Sequence, residues 1–188
     1  EQLSDKDRKK GDVLRAIMRA EDVLRESSSS QDEKRVALRF MIHFVADLHQ
    51  PLHLGYKDDI GGNGANLTWY GKKTNLHALW DTGLIYKIME KEQKIKKPTP
   101  SDFANTISAP SAQQAAQWKK SGMIDWFKES LEARDLAYAD YKSENEAYYK
   151  KSAPVIKLRV AQAAHRLAHL LHRIATNPEN IDHDAVQL

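Results

Sequence analysis

A chain of 188 residues is long enough for one domain with a single sizeable core, and its 41 % hydrophobic and 29 % charged residues are those of a soluble globular protein. Its 29 basic and 26 acidic residues leave a net charge of +3, too small to attract nucleic acid by bulk electrostatics. No apolar run approaches the roughly 20 residues needed to span a bilayer, so no stable membrane insertion is expected, and the absence of cysteine excludes a thiolate zinc finger, a cysteine nucleophile and a disulfide framework.

The opening residues Glu1-Gln2-Leu3-Ser4 carry no charged-then-apolar targeting pattern; either there is no signal or the chain starts downstream of one. From Ser4 to about Ser27, Val13, Ile17, Val23 and Leu24 form an apolar stripe at helical spacing. The serines at 27–30 break that helix. Ser30, with Glu33 three residues on, predicts a capping box for a second helix running to about Leu48, just before Pro51.

Residues 54–74 change character, with Gly55, Gly61, Gly62, Gly64 and Gly71 marking turns. Asn66-Leu67-Thr68-Trp69-Tyr70 alternates and predicts one short strand of a hairpin. Helix resumes over about 75–91, a Lys/Pro loop follows, and Ser101 and Ser111 are predicted to cap further helices reaching about Tyr141. The last long helix is predicted over 144–176, with a loosely held tail beyond it. The expected fold class is all-α, interrupted by one glycine-rich loop or short hairpin.

The chemistry concentrates in two His-x-x-x-Asp pairs. His43 and Asp47 share one face of the second helix, and His77 and Asp81 repeat the spacing on the next. His49 and His53 lie between them. Zinc takes imidazole nitrogen and carboxylate oxygen, so these residues suffice for one three-ligand zinc and part of another. A single such pair is more often an ion pair of tenths of a kcal/mol. Two pairs flanking Pro51-Leu52-His53 and a glycine-rich loop are less easily explained that way, because a carboxylate inside the apolar run 40–48 calls for a compensating cation.

The stretch His43-Phe44-Val45-Ala46-Asp47-Leu48-His49-Gln50-Pro51-Leu52-His53 resembles the signature of the S1/P1 nuclease family. Asp59-Ile60-Gly61-Gly62-Asn63 and Thr74-Asn75-Leu76-His77-Ala78-Leu79-Trp80-Asp81 are similar to the same family in order and spacing, and Ala164-His165-Arg166-Leu167-Ala168 resembles its closing helix. Zinc phospholipases C are distant relatives with a similar helical fold, but their second pair is typically His-x-x-x-Glu, and Asp81 favours the nuclease branch.

The resemblance implies a multi-helix phospholipase C/P1 nuclease-like fold and roles position by position. His53, His77 and Asp81 would hold one zinc. His43 would bind a second, and Asp47 would bridge that zinc to a third, making Asp47 the expected catalytic residue that orients the attacking water. Asn63 would hydrogen-bond the scissile phosphate, while His49, Asn75 and Trp80 would orient ligands. The implied reaction is hydrolysis of single-stranded DNA or RNA to 5′-phosphorylated products, with 3′-nucleotidase activity on nucleotides. A phospholipase C-like lipid phosphodiesterase and a non-catalytic zinc-binding fragment are the alternatives.

The family's N-terminal Trp, the His that follows it and further ligands have no counterpart ahead of His43. The chain, one domain over 1–188, is therefore expected to be the C-terminal part of a longer protein, with its own N-terminal segment as a partner. A secreted or periplasmic location is implied by the family. Lack of cysteine suggests a bacterial relative, in which the sequon Asn66-Leu67-Thr68 is silent. His165 and His169, at helical spacing without an acidic partner, are expected to be helix surface or packing.

Overall fold

The computed structural model describes residues 12–95 and 98–176. The architecture is helical, as expected, with one two-stranded hairpin among the described residues. Helix α1 (Val13–Arg25) starts at Asp12, whose carboxylate accepts from the Arg15 amide at 2.9 Å. The earlier part of the helix predicted from Ser4 lies outside the described residues.

Helix α2 (Gln31–His49) opens with the expected capping box. The Ser30 amide donates to Glu33 at 2.8 Å, and the Glu33 amide donates to the Ser30 hydroxyl at 3.3 Å. It closes at Gln50 because a residue before proline is driven out of helical geometry. Pro51–Leu54 form one tight 3₁₀ turn.

After the glycine-rich loop, β1 (Asn66–Trp69) and β2 (Lys72–Asn75) pair antiparallel with Trp69 opposite Lys72. Tyr70 and Gly71 both have positive φ, which matches the twist of a two-residue hairpin. Asn75 then caps α3 (Leu76–Ala78), its side chain accepting from the Ala78 amide at 2.8 Å. A π-helical turn (Leu79–Gly83) leads directly into α4 (Leu84–Gln93), which ends on left-handed Lys94.

Helix α5 (Pro100–Ala104) is capped by Thr99 rather than Ser101. Pro100 fills the first helical position and Asp102 returns the capping contact to Thr99, leaving Ser101 inside the helix. Ser111 does cap α6 (Ala112–Lys120). Helices α7 (Met123–Tyr138) and α8 (Asn145–Thr176) complete the fold, and the predicted tail lies outside the described residues.

Two apolar clusters share α8 as a spine. One gathers Leu52, Trp69, Leu79, Trp80, Tyr148 and Ile156. The other gathers Ile17, Met41, Val45, Leu48, Trp126 and Leu170. The segment 47–54 joins them, because Leu48 belongs to the second cluster and Leu52 to the first. Anchoring both ends of this segment fixes where Asp47 and His53 stand.

Candidate metal centre

Among the described residues, His53, His77 and Asp81 bring one ligand atom each to within 4.8 Å of one another. His53 reaches this point from the 3₁₀ turn, because Pro51 and Leu52 are buried beside it. His77 and Asp81 come from α3 and the π-helical turn, with Nε2 of His77 3.3 Å from Asp81 Oδ2. The rings of His53 and His77 stack 5.3 Å apart. His53 Nε2 lies 3.9 Å from Asp81 Oδ1.

The tautomer of His77 is set by its neighbour. Nδ1 lies 2.7 Å from the Gly61 carbonyl, which can only accept, so Nδ1 carries a proton and Nε2 is the nitrogen turned towards Asp81. Gly61 delivers that carbonyl from a left-handed conformation (φ 63°), and a Cβ there would stand 2.6 Å from the Leu52 carbonyl oxygen. The glycine-rich loop therefore folds flat against the 3₁₀ turn because its residues lack side chains at that contact.

Asp47 connects this group to His43. Its Oδ2 is 3.2 Å from His43 Nε2 and its Oδ1 is 3.4 Å from His53 Nδ1. Thus the structure brings four of the five metal-ligand candidates into a chain of contacts with the fifth, His43, at the outer end. Asn63 is exposed and turned into its own loop, donating to the Ile60 carbonyl at 2.9 Å.

The donor set suits zinc. A tetrahedral zinc with bonds of ~2.1 Å places its ligand atoms about 3.4 Å apart. The 3.3 Å between His77 Nε2 and Asp81 Oδ2 already matches, whereas the 3.9 Å from His53 Nε2 runs to the other oxygen, Oδ1, so ligation through one oxygen needs a small turn of the carboxylate.

His49 stands apart from the ligands. Its Nδ1–H donates to the Val45 carbonyl at 2.8 Å, and its Nε2 accepts from Arg166 at 3.0 Å, which uses both nitrogens. Burial, then the Arg159 charge, pushes its pKa down to about 3, so the ring is neutral. Trp80 is buried and donates to the Tyr148 hydroxyl at 2.8 Å, tying the π-helical turn to α8.

Two groups escaped sequence reasoning. Glu129 of α7 accepts from Arg159 at 2.6 Å and from Arg166 at 2.7 and 2.8 Å, while Arg159 also donates to the His49 carbonyl at 3.4 Å. The Gln50 amide donates to Asp81 Oδ1 at 2.6 Å. The sequence hint of the first is the seven-residue spacing of Arg159 and Arg166, which puts both on one face of α8. His165 makes an edge contact with Trp118, 5.5 Å between ring centres.

Two clefts meet at the candidate ligands. One, of 750 Å³, is lined by Phe44, Tyr56, Lys57 and Ile60 beside Asp47 and His77. The other, of 390 Å³, runs from Asp47 and Asp81 past Trp80, Ile156 and Arg159. Asp47 and His53 line both clefts.

This pairing of a helical fold with a His/Asp cluster defines a candidate metal-binding α-helical protein. The family model described as S1/P1 Nuclease matches residues 1–176, and the chain belongs to that family. It is 34 % identical over 159 residues to endonuclease 2 of Arabidopsis thaliana, covering 79 % of this chain and 54 % of that protein. It is 30 % identical to nuclease S1 of Aspergillus oryzae, covering 89 % and 64 %. With nuclease P1 of Penicillium citrinum the identity is 27 %, covering 87 % and 67 %. The chain spans about half the length of the Arabidopsis relatives it matches.

Proposed function

We propose that this chain carries a major part of the site of a zinc-dependent nuclease. In this reading it hydrolyses phosphodiester bonds of single-stranded DNA or RNA to 5′-phosphorylated products and has 3′-nucleotidase activity. The observation that carries the reading is the convergence of His53, His77 and Asp81, with the Gly61 carbonyl engaging His77 Nδ1 so that Nε2 is turned to the cluster. Membership of the S1/P1 nuclease family supports the choice of a nucleic acid substrate.

His53, His77 and Asp81 would hold one zinc; His43 and Asp47 would contribute to a second, and Asp47 to a third. Bound zinc supplies Lewis acidity, lowering the pKa of water towards ~7 and neutralising developing charge on phosphate oxygens. Asp47, which touches both histidines that flank it, would act as catalytic residue by orienting the attacking water. Asn63 would donate to the scissile phosphate, which requires its amide to leave the Ile60 carbonyl. Phe44 and Tyr56 line the larger cleft, where stacking against unpaired bases would favour single strands. A secreted or periplasmic location belongs to the same reading, and no described helix is long and apolar enough to cross a membrane.

A second reading, a zinc-binding fragment without hydrolytic activity, is favoured by the pairing of His43 with only one carboxylate among the described residues. Zinc per chain by plasma mass spectrometry and cleavage of a labelled single-stranded oligonucleotide separate the two. The proposal expects at least one zinc, lost in His77→Ala, and cleavage that disappears in Asp47→Ala. Zinc retention without cleavage by wild type supports the second reading. No zinc after add-back sinks both.

A further inference from the structure

Three contacts of a single residue tie the candidate ligands together. The Gln50 backbone amide donates to the Asp47 carbonyl at 3.0 Å, and the His53 amide donates to the Gln50 carbonyl at 3.1 Å. The Gln50 side chain then crosses to the other metal-binding element, donating to Asp81 Oδ1 at 2.6 Å. Thus Gln50 touches the backbone of two candidate ligands and the side chain of a third.

The direction of the side chain is not free. The Leu52 amide donates to Gln50 Oε1, which caps the 3₁₀ turn. An N–H can only be met by the amide oxygen, so the nitrogen must face Asp81. The same carboxamide therefore caps the start of the 3₁₀ turn and presents a donor to a carboxylate 31 residues away. Asp81 is left with Oδ2 turned towards His77 Nε2, 3.3 Å distant, while Gln50 holds Oδ1, the oxygen 3.9 Å from His53 Nε2.

We propose that Gln50 is a positioning residue for the metal centre. It fixes the rotamer of Asp81 so that Oδ2 is presented beside His77, and it links the 3₁₀ turn to the π-helical turn. This inference rests on the zinc reading of His53, His77 and Asp81. Hydrogen-bond partners of metal-ligating carboxylates are worth about 10–100-fold in metal affinity. Methionine has nearly the volume of glutamine but offers no donor to Asp81 and no amide oxygen to Leu52.

The test is a titration of the metal-free chain with Co²⁺, followed by its d–d absorption, for wild type, Gln50→Met, Asp81→Ala and the double variant. The expected result is a loss of ~10–100-fold in Co²⁺ affinity for Gln50→Met, with shifted bands. In the Asp81→Ala background the same substitution should change little, because its target is gone. Wild-type affinity and spectrum in Gln50→Met overturn the proposal, and so does an equal loss in both backgrounds, which marks a general structural effect.

A second measurement needs neither a cation nor a variant that folds. In ¹⁵N spectra of metal-free wild type, the Gln50 side-chain NH₂ should exchange more slowly with water than those of the exposed Gln31, Gln113 and Gln117. Exchange at the rate of an exposed glutamine overturns the proposal. If wild type binds no Co²⁺, the zinc reading falls instead, and slow exchange of this amide would still establish the Gln50–Asp81 link.

Discussion

Glu129→Gln tests whether the interior between α7 and α8 is held electrostatically. Arg159 and Arg166 side chains keep only 5 % and 1 % of their accessibility, and both bond the one carboxylate, whose side chain keeps 33 %. Removing its charge leaves two buried guanidinium groups facing each other with neutral partners. Losing one member of a buried pair costs about 3–5 kcal/mol. Because Glu129 is partly solvated, the lower end applies, about 3 kcal/mol. At roughly 2–4 °C per kcal/mol for a chain of this size, Tm should fall by about 6–12 °C.

Burial alone raises the Glu129 carboxyl, but hydrogen bonds from Arg166 and Arg159 outweigh it and hold it below 4.5. A depressed carboxyl contributes stability that is complete above its unfolded pKa and is lost as pH falls through the lower folded value. Wild type should therefore lose more stability than Glu129→Gln on acidification below about pH 4.5. Urea unfolding followed by tryptophan fluorescence, at pH 7 and along that acid limb, reads both effects. A loss below ~1 kcal/mol at pH 7 would falsify the argument. Adding Arg166→Met to Glu129→Gln should recover part of that loss, since only Arg159 of the two guanidinium groups is then left without its carboxylate.

Three further outcomes are expected. Gly61→Ala forces a residue with φ 63° to place a Cβ 2.6 Å from the Leu52 carbonyl oxygen; it should destabilise by ~1–3 kcal/mol and weaken zinc about 10–100-fold by displacing the carbonyl that orients His77, as read by chelator competition. Burial pushes the Tyr148 phenol up to about 12; a raised phenol contributes stability present below pH ~10 and lost as pH rises towards the folded value, so Tyr148→Phe should flatten the alkaline limb of a pH–stability curve. Zinc at 100 times its Kd should stabilise the chain by ~2.7 kcal/mol, and a melt unchanged by zinc or by its chelation would contradict the proposed centre.

Much of the architecture was legible because it depends on local rules. The Ser30–Glu33 capping box, the hairpin of alternating residues beside Gly71 and the long apolar stripe of α8 are each set by neighbours in the chain. Local rules also failed locally: Ser101 resembled a cap, but Thr99 with Pro100 and Asp102 made the better one. The spacing of His43 with Asp47 and of His77 with Asp81 put each pair on one helix face without any tertiary information.

Only the fold decided how those pairs combine. His53 meets His77 and Asp81 because Leu48 and Leu52 are buried in different clusters, which stretches segment 47–54 between them. No local pattern marks Gln50, whose amide meets Asp81, or Glu129, to which α8 brings two buried arginines. Periodicity determines which side of an element a residue occupies. Which residues of other elements it meets depends on packing across 30 or more positions of chain, and no local pattern encodes that.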